Sequence, residues 1–142
     1  AKRKEAIGAL RRNGIEAALS AMLPNLLAKR SRGTPAEETA RAMILATPPA
    51  TAMADLAGLA LRDEGFEMLS GWEKPLLVVV GDEDAIAPPS DAEAMTAVAG
   101  RAPWVKLVSV PGAGHLVPLE SPDEAADAVV ALGERAIFPT PR

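Results

Sequence analysis

Asp84 and His115 carry the side chains of an acid–base pair, and each of them follows a short apolar run. An imidazole can take a proton from a nucleophile near neutral pH and return it to a leaving group. A carboxylate on the other ring nitrogen holds the required tautomer and stabilises the imidazolium that forms. We therefore predict that Asp84 and His115 lie side by side and act as catalytic residues.

The elements that must position these two residues are a pair of strands. Residues 76–80 are apolar at every position, which is typical of a strand in a parallel sheet that is covered on both faces. Residues 105–110 form the second predicted strand, and a capping-box pattern from Ser90 to Glu93 predicts a helix between the two strands. Such a unit is a βαβ crossover with parallel strands. Catalytic groups collect where the strands of these sheets run out into loops.

The sequences around the two residues resemble a known family. GDEDAIAPP at 81–89 and GAGHLVPLESP at 112–122 look like the C-terminal part of an α/β-hydrolase. The resemblance is strongest to the small cap-bearing group that includes enol-lactonases, esterases and haloperoxidase-like enzymes. In that family the Asp of the G-x-x-D loop and the His of the G-x-G-H loop belong to a Ser-His-Asp triad. The resemblance implies an α/β fold, with Asp84 as the acid and His115 as the base.

The nucleophile of that triad is missing from the chain. No G-x-S-x-G motif and no H-G-G-G-type oxyanion loop is present. All the serines stand in other contexts: Ser20, Ser31, Ser70, Ser90, Ser109 and Ser121. We interpret the 142 residues as a C-terminal fragment, with the nucleophile outside it, and expect no turnover from the chain alone. An aspartate nucleophile, as in dehalogenase relatives, and a truncated non-catalytic domain or interaction module stay open as alternatives.

The resemblance also implies two regions. Residues 1–70 would form a helical cap, or lid, with a connector, and residues 71–142 would form the C-terminal part of the hydrolase core. This core part would contain the last two strands, each with a following helix. The substrate class implied is a small ester, lactone or related carbonyl compound.

Helix signals divide the first region. The Asn13-Gly14 pair predicts a break in the first helix, and Thr34 to Glu37 forms a capping box that starts another, with Ala40, Met43 and Ile44 facing inward. Ser121 to Glu124 forms a further capping box before the last helix, and residues 29–33, KRSRG, are predicted to be a solvated loop. Three methionines could line a substrate pocket, although interior packing is the simpler interpretation: Met22, Met43 and Met53.

Asp82 and Glu83 are further carboxylates in the loop of Asp84, and they compete with it for the role of the acid. They also suggest a calcium loop, but Ile86 and Ala87 stand where that pattern needs an oxygen ligand and an invariant glycine. A single histidine and no cysteine argue against a zinc site. We therefore expect no metal and no cofactor.

Charge and composition restrict the partners. A net charge of −4, with no basic run longer than Lys2-Arg3-Lys4, argues against nucleic acid and anionic membranes as partners. No apolar run reaches the roughly 18 residues of a membrane span, and no signal-peptide pattern is visible, so we expect a cytoplasmic protein. The expected partners are the substrate and the missing N-terminal half of the fold. Exposed strand edges also predict self-association of the isolated chain.

Overall fold

The computed structural model of the protein describes residues 2–61 and 65–137. Residues 138–142 of the second predicted region lie outside this description. Helices α1 to α4 span Lys2–Leu26, Pro35–Ala46, Pro49–Leu61 and Phe66–Ser70, with a 3-10 turn at Lys29–Ser31. The strands are β1, Leu76–Gly81, and β2, Val105–Val110, and helix α5, Pro89–Val98, lies between them. Helices α6, Val117–Glu120, and α7, Pro122–Ile137, follow β2.

The two strands form one parallel sheet. Leu76 pairs with Val105 at one end, and Gly81 pairs with Val110 at the other. Helix α5 packs against both strands, so β1, α5 and β2 form the βαβ unit that the sequence predicts. The predicted α/β fold, a helical region followed by two parallel strands with their helices, is confirmed. Because the strands are parallel, the loops after Gly81 and Val110 leave the sheet at the same end.

The sheet is well covered only at the end where these two loops leave it. Val80 and Val110 are buried, whereas Val105 and Leu107 near the start and middle of β2 are exposed. Leu76 to Val79 of β1 are half-buried, so the cover predicted for β1 is only partial within the described residues. Both α5 and α7 contact β1, but they do not enclose the sheet. An all-apolar strand with this little cover is suited to further packing against another part of a fold.

The largest apolar cluster joins the first helices to the segment after His115. Its buried members are Leu19, Leu23, Leu26, Leu27 and Ala40. Ile44, Leu116 and Leu119 pack against this cluster, so helices α1 and α2 share a core with α6. The helical region is therefore attached directly to the end of the sheet that carries the two candidate residues. Met43, predicted to face inward with Ala40 and Ile44, is instead exposed.

The helix boundaries follow the sequence signals, but several of the predicted caps are wrong. Helix α1 kinks at Gly14, where φ is 75° and ψ is −175°, which confirms the predicted break. Thr34 precedes α2 as predicted, yet its hydroxyl donates to the Ser31 carbonyl, and Glu37 accepts the N–H of Gly33 instead of that of Thr34. Ser90 lies inside α5, since Pro89 begins that helix one residue earlier. Proline at the first helical position needs no N–H partner, which favours the earlier start.

The segment 29–33 is solvent-exposed as predicted at four of its five positions, and Ser31 is the exception. It begins with the 3-10 turn Lys29–Ser31, and Ser31 is buried. Arg30 donates to the hydroxyl of Ser121 at 2.7 Å, so the predicted capping serine of α7 serves as a contact to this turn. Arg30 and Ser31 have hydrogen-bond partners about 90 residues away in the chain, which the local sequence pattern did not indicate.

No single helix in the two described ranges is long and apolar enough to cross a membrane. Two neighbouring helices, Pro35–Ala46 and Pro49–Leu59, reach the length and apolar composition of a span only when taken together, and they are bent by 97°.

Candidate active site

The structure brings Asp84 and His115 into direct contact. The distance from His115 Nδ1 to Asp84 Oδ2 is 2.8 Å. Asp84 follows β1 and His115 follows β2, and the parallel pairing of the strands places the two loops next to each other. The Asp84 side chain is 6% exposed and the imidazole is 35% exposed, so the carboxylate is buried while the ring still reaches the surface.

The loop after β1 fixes the orientation of the Asp84 carboxylate. Its Oδ1 accepts the backbone N–H groups of Ile86 and Ala87 at 2.8 and 2.9 Å. These short-range bonds are typical of aspartate in a turn, where the side chain binds the backbone that follows it. They occupy one carboxylate oxygen and leave Oδ2 for the imidazole. The two oxygens of Asp84 therefore have separate partners.

The charge state of Asp84 determines how the histidine is protonated. Burial alone raises the pKa of the Asp84 carboxyl, but hydrogen bonds from Ala87, His115 and Ile86, together with the charge on His115, bring the pKa below its ordinary value of 3.8. The carboxylate is consequently ionised at neutral pH and can only accept hydrogen bonds. Nδ1 of His115 must then carry the proton, which leaves Nε2 as the nitrogen that can accept one. This is the tautomer that a general base requires.

The neighbouring carboxylates have other partners. Asp82 Oδ1 accepts the N–H of Gly112 at 2.6 Å, and Glu83 Oε2 accepts the N–H of Lys29 at 3.3 Å. Within the described residues, the imidazole of His115 has Asp84 as its one side-chain hydrogen-bond partner. Of the three carboxylates that compete for the role of the acid, the structure brings Asp84 to the histidine. Its catalytic role stays a prediction.

A glycine lets the two loops approach this closely. A Cβ at Gly81 would collide with the carbonyl oxygens of Ala113 and Gly114 in the histidine loop. The loops are also joined by backbone bonds, from Asp82 N–H to Val110 at 3.1 Å and from Glu83 N–H to Ala113 at 2.9 Å. The glycine of the G-x-x-D motif thus has a steric reason, because any side chain at this position would push the two loops apart.

The histidine loop rests on the end of helix α1. The carbonyl of Leu26 accepts the N–H groups of His115 and Leu116 at 3.0 and 3.3 Å. Glu120 Oε1 accepts the N–H of Gly114 at 2.9 Å, and its Oε2 accepts the N–H of Ala28 at 2.8 Å. The sequence analysis did not assign a function to Glu120. The signal for it was a single acidic residue closing an otherwise apolar stretch, LVPLE.

Four of the six serines have hydrogen-bond partners away from the imidazole. Ser20 and Ser70 donate to carbonyls in their own helices, Ser31 donates to Glu120, and Ser121 accepts from Arg30. Within residues 2–61 and 65–137, none of the serine hydroxyls is hydrogen-bonded to His115. The site as described is an acid–base pair to which a nucleophile can be added.

Two other features bear on the chemistry. A cavity of about 280 Å³ lies between α1 and α2, lined by Leu19, Ser20, Leu23, Pro24, Leu27, Arg32, Glu37 and Arg41. Asp84, His115 and the three methionines suggested as pocket residues are not part of that lining. No cluster of three or more His, Asp or Glu side chains that could hold a metal ion occurs among the residues described.

Comparison with known proteins connects this geometry to a family. The family model described as the alpha/beta hydrolase family matches residues 3–128. The chain belongs to the alpha/beta hydrolase family. No curated protein matches the chain.

Solved structures of this family are similar to the chain. A thermophilic esterase from Thermogutta terrifontis, solved with malate bound, is 32% identical at a TM-score of 0.85, over 95% of this chain and 49% of that one. A hydrolase from Pseudomonas aeruginosa is 27% identical at a TM-score of 0.81, over 92% of this chain and 49% of that one. An N-acyl homoserine lactone degrading enzyme, 22% identical at a TM-score of 0.65, shares the fold over 89% of this chain and 50% of that one. The chain thus spans about half the length of the structures it matches.

Proposed function

We propose that this chain supplies the acid and the base of a nucleophile–His–Asp triad that hydrolyses an ester, lactone or related carbonyl substrate. The nucleophile and the oxyanion hole come from polypeptide outside the printed sequence. The observation that carries the proposal is the 2.8 Å contact between His115 Nδ1 and the buried, ionised carboxylate of Asp84. The similarity to an esterase, over about half of that enzyme's length, supports the substrate class.

Each of the two residues has its own role in the proposed reaction. His115 Nε2 accepts the proton of the nucleophile as its oxygen attacks the carbonyl carbon, and the ring then gives that proton to the leaving alkoxide. In the second half of the reaction a water molecule attacks the acyl carbon and loses a proton to the same nitrogen. The ring then returns this proton to the nucleophile's oxygen as the acyl–oxygen bond breaks and the free acid leaves. Asp84 keeps the proton on Nδ1 and stabilises the imidazolium throughout.

The missing half of the fold is the partner that this proposal requires. Half-buried β1 and exposed Val105 and Leu107 leave apolar sheet surface without cover in the described structure. A second half of similar length would cover that surface and bring a nucleophile to the imidazole. Small molecules are the proposed substrates, and neither nucleic acid nor membrane is a proposed partner.

The test uses the protein as its host produces it, with any polypeptide that precedes or accompanies this chain. We expect it to hydrolyse a short p-nitrophenyl ester and to be labelled by a fluorophosphonate probe. His115→Ala should abolish both, since an unactivated nucleophile reacts poorly with either reagent. If the natural protein neither hydrolyses the ester nor takes the label, the proposal is wrong.

A further inference from the structure

Glu120 joins the histidine loop to the segment after helix α1 through three hydrogen bonds. Its Oε1 accepts the N–H of Gly114 at 2.9 Å, one residue before His115. Its Oε2 accepts the N–H of Ala28 at 2.8 Å and the hydroxyl of Ser31 at 2.7 Å. The carboxylate thus bridges two segments about 90 residues apart in the chain, and bonds to an ionised acceptor are roughly twice as strong as neutral ones.

Steric contacts between the same two segments are equally close. A Cβ at Gly114 would lie 2.6 Å from the backbone nitrogen of Ala28 and 2.8 Å from the carbonyl carbon of Leu27. The Leu26 carbonyl also accepts the N–H of His115 at 3.0 Å. The backbone on both sides of the histidine is therefore held against the end of helix α1, and the Glu120 carboxylate bonds to both sides of that contact.

We propose that Glu120 is a positioning residue for His115, and that it makes the placement of the catalytic base depend on the docking of the helical region. This inference rests on the proposed function. Glu120 does not touch the imidazole and takes no part in proton transfer. It acts by holding the Gly114 peptide, from which the histidine side chain reaches Asp84 Oδ2. A shift of this peptide moves Nε2 away from the nucleophile, while substrate binding surfaces elsewhere are unaffected.

The primary test is Glu120→Gln in the complete natural protein, with Glu124→Gln as the matched control. The amide keeps one acceptor oxygen but cannot receive N–H groups on both sides, so one segment is released. We expect kcat to fall by about 10- to 100-fold, because a displacement of about 1 Å in an active site costs on the order of 10² in rate. KM should stay within about twofold. Glu124 is an exposed carboxylate in the first turn of α7, and its replacement should change neither constant.

A spectroscopic measurement separates positioning from general support of the fold. The proton shared by His115 Nδ1 and Asp84 Oδ2 gives a downfield NMR resonance, which His115→Ala identifies by its loss. Glu120→Gln should shift or broaden this resonance, and Glu124→Gln should leave it in place. Ser31→Ala removes only one of the three bonds and should produce a smaller change in the same direction, both in kcat and in the resonance.

The results that overturn the inference are specific. If Glu120→Gln lowers the melting temperature while kcat and the Nδ1 resonance stay as in the wild type, Glu120 supports only the fold. Should Glu120→Gln fail to fold, wild-type kcat and an unmoved resonance in Ser31→Ala reject the inference instead. A wild-type protein without hydrolytic turnover refutes the proposed function, and the response of the resonance still decides whether Glu120 positions His115.

Discussion

Replacing Asp84 with asparagine should inactivate the complete protein through the tautomer of His115. The turn after β1 dictates how the new amide is oriented, because the N–H groups of Ile86 and Ala87 require an acceptor at the position of Oδ1. The amide oxygen must take that place, and the NH₂ group then faces His115 Nδ1. A donor at this position forces Nδ1 to accept and puts the ring proton on Nε2. The imidazole can then no longer accept a proton from the nucleophile.

The expected loss follows from that wrong tautomer. In a serine protease triad the same exchange lowers turnover by about 10⁴ while the geometry stays intact. A loss of that size corresponds to about 5.5 kcal/mol of transition-state stabilisation. The structure provides the same conditions here, with a buried carboxylate at 2.8 Å from Nδ1 and two backbone donors on its other oxygen.

The assay compares kcat for a p-nitrophenyl ester among Asp84→Asn, Asp82→Asn and Glu83→Gln in the complete protein. Asp82 and Glu83 bind backbone N–H groups of Gly112 and Lys29, so their replacement should cost far less than that of Asp84. Nitrogen chemical shifts of the His115 ring should show the proton moved to Nε2 in Asp84→Asn alone. Near-normal turnover in Asp84→Asn, combined with an inactive Asp82→Asn, would refute the assignment of the acid.

Three further outcomes can be measured. Because the pKa of Asp84 is lowered in the folded protein, its ionised form contributes stability above the ordinary value of 3.8, and this contribution is lost as pH falls through the folded pKa. The difference in urea midpoint between wild type and Asp84→Asn should therefore shrink on acidification, and a constant difference would contradict the shift. Gly81→Ala should abolish soluble folded protein, because the new methyl group would collide with Ala113. Gly58→Ala, with open space around it, should instead raise the free energy of unfolding by about 0.5–1 kcal/mol. A folded Gly81→Ala with an unchanged melting temperature would reject the steric argument. The isolated chain should self-associate in light scattering and show no turnover, since losing a triad nucleophile costs on the order of 10⁶; a monomer whose ester hydrolysis is blocked by a serine-directed inhibitor would contradict both expectations.

Local patterns were sufficient to predict both strands and several of the helices. The apolar run of β1, the second strand and the helix between them were readable because each depends on neighbours within a few residues. The break at Gly14 and the start of α2 after Thr34 follow the same logic, since glycine and proline act on the backbone at their own positions. The family resemblance then assigned Asp84 and His115 to adjacent loops, and the structure places them in contact.

Hydrogen-bond partners distant in sequence could not be predicted in this way. Ser31 looked like part of a solvated loop, and only the folded chain shows that it is buried against Glu120. Ser121, which was predicted only as a helix cap, likewise has a distant partner, because its hydroxyl accepts a bond from Arg30. A polar side chain selects its partner from all groups within reach after folding, and sequence spacing describes only the local ones.

The sequence by itself determined that this chain has parallel strands, that two polar residues follow them, and that it carries no nucleophile motif. The family resemblance selected Asp84, and the tertiary structure shows that it is the one of three adjacent carboxylates that meets the histidine. Asp82, Glu83 and Asp84 have the same charge and lie within three positions, so composition and spacing cannot separate them. In the turn after Gly81, successive side chains point in different directions. Asp82 therefore bonds to Gly112, Glu83 to Lys29 and Asp84 to His115. The physical reason is that the direction of a side chain depends on the folded backbone. The backbone of this turn is fixed by contacts with the loop after β2 and with the end of α1.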